Sequence, residues 1–241
     1  MSPIPIIALD VPDAGAALAL VEELGDACRF YKIGSELFTA CGPSIVRQVR
    51  STGADVFLDL KFHDIPNTVS GAVRRAAAMG ARLVTVHAAG GVAMLRAAVA
   101  AAGDSADCAV LAVTVLTSLD GPEIATAWGR DPRSLQLVDE VIRLGSLARD
   151  AGVAGVVCSA REARAVKDGL GPSFAVLIPG IRMMGGATHD QSRTSTPAEA
   201  AATGADYVVV GRAVTAAPDR GRAMRELQLQ LQSEPRPGSL A

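Results

Sequence analysis

Apolar residues fall into eight short runs, at residues 4–9, 29–33, 54–58, 82–86, 108–115, 153–158, 174–178 and 207–210. Most are nearly continuous rather than alternating, as in strands buried on both faces. Between them lie segments with helical spacing, at 12–24, 37–50, 68–79, 92–102, 134–150, 161–167 and 197–203, and a last helix ends the stretch 211–232. The punctuation fits these limits. Gly42-Pro43 interrupts the second helix near its start, Gly80 and Gly152 stand where helices end, and Thr196 precedes Pro197 as an N-cap. Strands that alternate with helices pair in parallel through right-handed crossovers, and eight such units predict one closed (β/α)8 TIM barrel of the α/β class. A doubly wound open sheet is the rival. The barrel is preferred because polar residues follow strands one, two, three, four, seven and eight, and a closed ring brings those ends to one mouth. Residues 1–232 read as a single catalytic domain without a linker, and 233–241 as a disordered tail.

Composition narrows the function. The chain has 241 residues, 49% of them hydrophobic, enough for a large core. A net charge of −2 provides no basic field for nucleic acid, and 3% aromatic content provides few stacking platforms. No apolar stretch reaches the roughly 20 residues of a membrane span. The start, Met1-Ser2-Pro3-Ile4-Pro5, lacks the features of a signal peptide. Cys28, Cys41, Cys108 and Cys158 form no C-x-x-C pair, and are expected to be reduced in a cytoplasmic protein.

Charge interrupts the apolar pattern most sharply at Asp59-Leu60-Lys61-Phe62-His63-Asp64, after the third run. Asp59 and Lys61 are two apart, so on a strand they share a face. Buried there, they must pair or do chemistry. Lys32 ends the second run and Asp10 follows the first. Each has an ordinary reading. Asp10 and Asp64 suit helix caps, Lys32 a snorkelling lysine, and Asp59 with Lys61 a structural ion pair. His63 and His87 read as packing residues, and no spacing suggests a metal site. Taken together, Lys32, Asp59, Lys61 and Asp64 can form an alternating, mutually neutralising array at one barrel mouth.

A second cluster follows the last two strands: Ile178-Pro179-Gly180-Ile181-Arg182 and Val210-Gly211-Arg212-Ala213. Barrel loops in these positions often bind phosphate. Gly211 allows close backbone approach to an anion, and Arg212 a bidentate contact. The loop with Gly185-Gly186 and Gln191 is placed to fold over that phosphate as a lid.

With these residues assembled, the chain resembles the orotidine 5′-monophosphate decarboxylase family, most closely its bacterial branch. The matching stretches are Ala8-Leu9-Asp10, Tyr31-Lys32-Ile33-Gly34, Phe57 through Thr68, Val84-Thr85-Val86-His87-Ala88, Val113 through Ser118, Pro179-Gly180-Ile181-Arg182 and Val210-Gly211-Arg212. Related barrels share D-x-K-x-x-D, whereas the whole set in this order is specific. The resemblance implies a homodimeric barrel that converts orotidine 5′-monophosphate to uridine 5′-monophosphate and carbon dioxide, with no metal or organic cofactor. It implies Lys61 as proton donor, Asp59 beside the substrate carboxylate, and Lys32 linking the array to the ribose. Asp64 is expected to reach the partner's site. Asp10 matches the residue that holds ribose or base, and Thr68 one that contacts ribose or phosphate across the dimer. Thr117 matches a residue near the pyrimidine, and Arg182, Gln191, Gly211 and Arg212 match phosphate and lid contacts.

Two alternatives remain. A Mg²⁺-dependent sugar-phosphate decarboxylase of the same superfamily shares D-x-K-x-x-D, but places a carboxylate where this chain has Lys32, a cation that should repel the metal. A non-catalytic nucleotide-binding barrel needs only the last two loops and leaves the acid–lysine set without a purpose.

Overall fold

The computed structural model describes residues 2–103, 107–183 and 193–232. Its strands are β1 (Ile4–Ala8), β2 (Phe30–Gly34), β3 (Asp55–Phe62), β4 (Leu83–His87), β5 (Ala109–Val113), β6 (Gly155–Val157), β7 (Ala175–Ile178) and β8 (Tyr207–Val210). They pair in chain order, all in parallel, and β8 returns to β1, closing the ring. The expected (β/α)8 barrel is therefore the fold.

The helices are α1 (Ala14–Leu24), α2 (Ser35–Cys41), α3 (Ser44–Ser51), α4 (Pro66–Ala78), α5 (Gly91–Gly103), α6 (Gly121–Ala127), α7 (Leu137–Asp150), α8 (Ala160–Leu170), α9 (Pro197–Ala202), α10 (Arg212–Thr215) and α11 (Arg220–Gln232). Three local expectations change. The single helix expected over 37–50 is two. Gly42, at φ +63°, ends α2 by donating its N–H to the Phe38 carbonyl, and Pro43 has no N–H to continue the ladder. The segment before Trp128, where the pattern predicts no helix, contains α6, whose start is fixed by a reciprocal capping box between Asp120 and Glu123. The third strand runs to Phe62, four residues past its expected end at Leu58. The tail at 233–241, the Gly185-Gly186 loop and Gln191 lie outside the described residues.

Two apolar layers hold the ring. The outer one packs strand residues such as Ile7, Ile33, Leu58 and Val84 against the helices. The inner one fills the barrel with Ile6, Phe30, Phe57, Leu83, Leu111, Leu177 and Val209. Side chains alternate along a strand, so the inward register can be followed toward the strand ends. Ile6 leads to Ala8 and Asp10, Phe30 to Lys32, Phe57 to Asp59, Leu83 to Thr85, and Val209 to Gly211. The same face that builds the apolar interior thus delivers polar groups at the C-terminal mouth.

Candidate active site

A cavity of about 580 Å³ opens at that mouth, within the size range of small-ligand sites. Ala8, Phe57, Val113, Val157, Leu177 and Val209 of the inner layer also line it. Asp10, Lys32, Glu36, Asp59, Lys61, Thr117, Arg182, Gly211 and Arg212 supply its polar groups. One side carries carboxylates and lysines from β1 to β3, and the other carries Arg182 and Arg212 beyond β7 and β8.

The first pair joins neighbouring strands. Lys32 Nζ donates to Asp10 Oδ1 at 2.9 Å, and the lysine side chain is only 12% exposed. Lys32 is therefore neither a solvated surface lysine nor, in this chain, bonded first to Asp59. Its carboxylate partner is Asp10. The helix-cap reading of Asp10 also falls, because Asp13 caps α1 through the Ala16 N–H. Gly34 sits beside this pair. A Cβ there would lie 3.0 Å from Lys32 Nζ and 3.5 Å from Asp10 Oδ1.

The second pair stands on a break in the sheet. Leu58 is level with Val84 and Phe62 with Val86, so β3 takes four residue steps where β4 takes two. Within this bulge Lys61 has φ +50°, and it alone among the described non-glycine residues has a positive φ. Such a backbone costs about 1–2 kcal/mol for an L-residue and is characteristic of functional sites. Lys61 Nζ nevertheless donates to Asp59 Oδ2 at 2.8 Å. The Thr85 hydroxyl, fully buried on β4, accepts the Lys61 N–H at 2.9 Å and donates to Asp59 Oδ1 at 2.9 Å. His87, two residues further on, lies below the usual histidine pKa, chiefly through burial, then through the His63 and Lys61 charges, with Asp59 opposing.

On the far side, the Arg182 N–H donates to the Ser195 carbonyl at 2.9 Å. Arg182 Nε is buried and has no hydrogen-bond partner among the described residues. Arg193 and Glu162 form an ion pair at 2.7 Å, with side chains 4% and 2% exposed. Arg193 also donates to the Leu116 carbonyl, next to Thr117, while Glu162 accepts from the Ser159 N–H and hydroxyl. Arg193 thus ties the chain beyond β7 to α8 through Glu162 and to the loop beyond β5 through Leu116.

Asp64 and Thr68 are exposed and do not line this cavity. Asp64 does not cap α4 either. Ile65 occupies the cap position, and the Asp64 carboxylate accepts the Ile65 N–H. Gln191 lies outside the described residues. Sequence reasoning did not single out Thr85, Glu36, Arg193 or Glu162 as site residues. Only Glu162 had a readable signal, the Ser159-x-x-Glu162 capping box. Among the described residues no three His, Cys, Asp or Glu side chains gather where a metal ion could be held.

Comparison with known proteins agrees across sequence and structure. Residues 3–227 match the model of the "Orotidine 5'-phosphate decarboxylase / HUMPS family". The chain is 46% identical over 233 residues to the orotidine 5′-phosphate decarboxylase of Moorella thermoacetica, covering 94% of this chain and 91% of that one. It is 49% identical over 230 residues to that of Alkalilimnicola ehrlichii, covering 95% and 96%. The crystal structure of orotidine 5′-phosphate decarboxylase from Lactobacillus acidophilus superposes with a TM-score of 0.84 at 31% identity, covering 97% of this chain and all of that one.

Proposed function

The chain belongs to the orotidine 5′-phosphate decarboxylase / HUMPS family, and from that premise we propose how its cavity carries out the family's decarboxylation. It is a carboxy-lyase that converts orotidine 5′-monophosphate to uridine 5′-monophosphate and carbon dioxide, the decarboxylation step of pyrimidine biosynthesis. The observation that supports a mechanism is the Lys61–Asp59 pair at 2.8 Å beside an apolar floor. The pyrimidine lies on that floor with C6 toward Lys61 and its carboxylate toward Asp59. Arg182 and Arg212 take the phosphate, and the Arg182 Nε, which has no hydrogen-bond partner among the described residues, supports that role as a donor for an anion.

When the C6–carboxylate bond breaks, its electron pair stays on C6 in the ring plane. The Lys61 ammonium stabilises that charge and then gives C6 a proton, leaving a neutral amine that solvent reprotonates. Asp59 repels the substrate carboxylate. Two like charges about 4 Å apart at an effective dielectric of about 20 repel by roughly 4 kcal/mol. Enzymes lower barriers by about 8–23 kcal/mol, so repulsion is the smaller part. Fixed electrostatics and phosphate binding supply the rest, the phosphate by anchoring the remote end of the substrate.

The active unit is a homodimer. Asp64 and Thr68, exposed beyond β3, enter the partner's cavity and complete its ribose contacts. The reaction takes place in the cytoplasm, where the thiols of Cys28, Cys41, Cys108 and Cys158, all free, stay reduced. No metal is required, because the Lys32 ammonium occupies the sector where a Mg²⁺-dependent relative places a carboxylate.

The test is the absorbance change of orotidine 5′-monophosphate with purified protein in EDTA. Turnover in chelator supports this reading. Turnover only with added Mg²⁺ replaces it with metal-dependent sugar-phosphate chemistry, and tight uridine 5′-monophosphate binding without turnover replaces it with a nucleotide-binding protein.

A further inference from the structure

A bulge removes backbone groups from their ladder partners, and buried N–H groups in native folds find others. Thr85 stands opposite the bulge in β3, between Val84 and Val86, the two β4 residues at which register is lost and regained. Its hydroxyl oxygen carries one donor proton and two lone pairs. Here it spends one lone pair on the Lys61 N–H and its proton on Asp59 Oδ1, both at 2.9 Å. The acceptor thereby fixes the backbone of the lysine at φ +50°, and the donor fixes the carboxylate that the same lysine's ammonium binds through its other oxygen.

We propose that Thr85 is a positioning residue of the decarboxylation site: its hydroxyl closes a ring of contacts through Lys61 and Asp59 that holds proton donor and carboxylate in register before substrate arrives. Thr85 does not line the cavity, so it acts through these two residues and touches no reacting atom. The role follows from geometry. A valine would fill the same space but could neither accept the bulge N–H nor donate to the carboxylate. A serine keeps the hydroxyl and loses one methyl group.

The proposal rests on the decarboxylase reading, which the wild-type enzyme tests separately. Turnover of orotidine 5′-monophosphate by the unaltered protein is the control, and its absence would overturn the activity rather than the role of Thr85. Given that control, Thr85→Val is expected to lower kcat by about 10- to 100-fold, the usual consequence of losing a hydrogen bond to a charged group. Affinity for uridine 5′-monophosphate, measured by calorimetry, should change less than about threefold, because the phosphate side of the cavity is untouched. Thr85→Ser should restore kcat to within a few-fold of wild type. Thr85→Ala, which leaves a void instead of a methyl group, is the second hydroxyl-free variant should valine not fold. Wild-type kcat in either folded hydroxyl-free variant overturns the proposal. So does an equal loss of kcat and product affinity, and so does a serine variant as slow as the alanine one.

Discussion

Lys61 and Asp59 are joined twice, directly through ammonium and carboxylate and indirectly through the Thr85 hydroxyl, although the chain between them is bulged. The direct contact alone fits an ordinary ion pair. The second route shows that the backbone carrying the pair is held as well, at a conformation that a lysine adopts at a cost.

That cost can be measured. Lys61→Ala and Lys61→Gly both remove the ammonium and are expected to abolish turnover. They differ in backbone freedom, since glycine adopts φ +50° freely and alanine, like lysine, only at a cost. The glycine variant should be more stable than the alanine variant by about 1 kcal/mol in denaturant titration. Equal midpoints, or a more stable alanine variant, would show that the bulge carries no strain.

The proposed sharing of the site across a dimer predicts complementation between dead enzymes. Lys61→Ala and Asp64→Ala homodimers should each be inactive. After subunit exchange at equal concentration, roughly a quarter of wild-type activity should return, because half the dimers become hybrids with one complete site each. Exchange demonstrated by mass spectrometry with no recovery of activity removes Asp64 from the partner's cavity.

Gly34 gives a test of the Lys32–Asp10 pair. Its added methyl in Gly34→Ala would press on the Lys32 ammonium at 3.0 Å, a flexible end that can yield. The fold should therefore lose less than about 1 kcal/mol, while kcat/KM falls about tenfold or more as Lys32 is displaced from Asp10. A variant with unchanged kcat/KM would show that the position of Lys32 is not critical.

The Arg193–Glu162 pair is expected to matter to folding. Both side chains are almost fully buried, and removing one partner leaves the other charge without compensation. Glu162→Ala should cost about 3–5 kcal/mol in urea unfolding. A loss below about 1 kcal/mol would mean that water reaches Arg193 in the variant.

Acid should weaken the fold partly through His87. Its pKa is depressed in the folded protein and returns to about 6.5 on unfolding, so below that pH the unfolded chain binds more protons. The His87 contribution is complete above about 6.5 and is lost as pH falls toward the folded value. His87→Asn should flatten the dependence of Tm on pH in this window. An unaltered slope would assign the acid sensitivity to other groups.

The barrel was legible because its signal is repeated: eight apolar runs, each followed by a helix, leave few other topologies. Lys32, Asp59 and Lys61 were legible because ionisable residues at the ends of apolar strands stand out against them. Thr85 was not, since a threonine inside an apolar run is what any strand contains, and its hydroxyl acquires meaning only opposite the bulge. The bulge itself leaves no mark, because no glycine announces the positive φ at Lys61. Arg193 was hidden for a related reason. It sits in a polar stretch, and its burial depends on Glu162, 31 positions earlier in the chain. The pairing of Lys32 with Asp10 rather than Asp59 left no mark either, since Lys32 is level with Ala8 on one side and Phe57 on the other, each two residues before an aspartate.

The seam between β1 and β8 has a temporal consequence. Asp10 and Lys32 arrive with the first strands synthesised, whereas Arg212 follows the last, and the two sides face one cavity only after Ile4 to Ile7 have paired with Tyr207 to Val210. A nascent or truncated chain that ends before that final strand lacks Arg212 and so has no complete grip on a nucleotide. Capture of uridine 5′-monophosphate during refolding should therefore act as a stopwatch for the moment the two ends of the polypeptide meet.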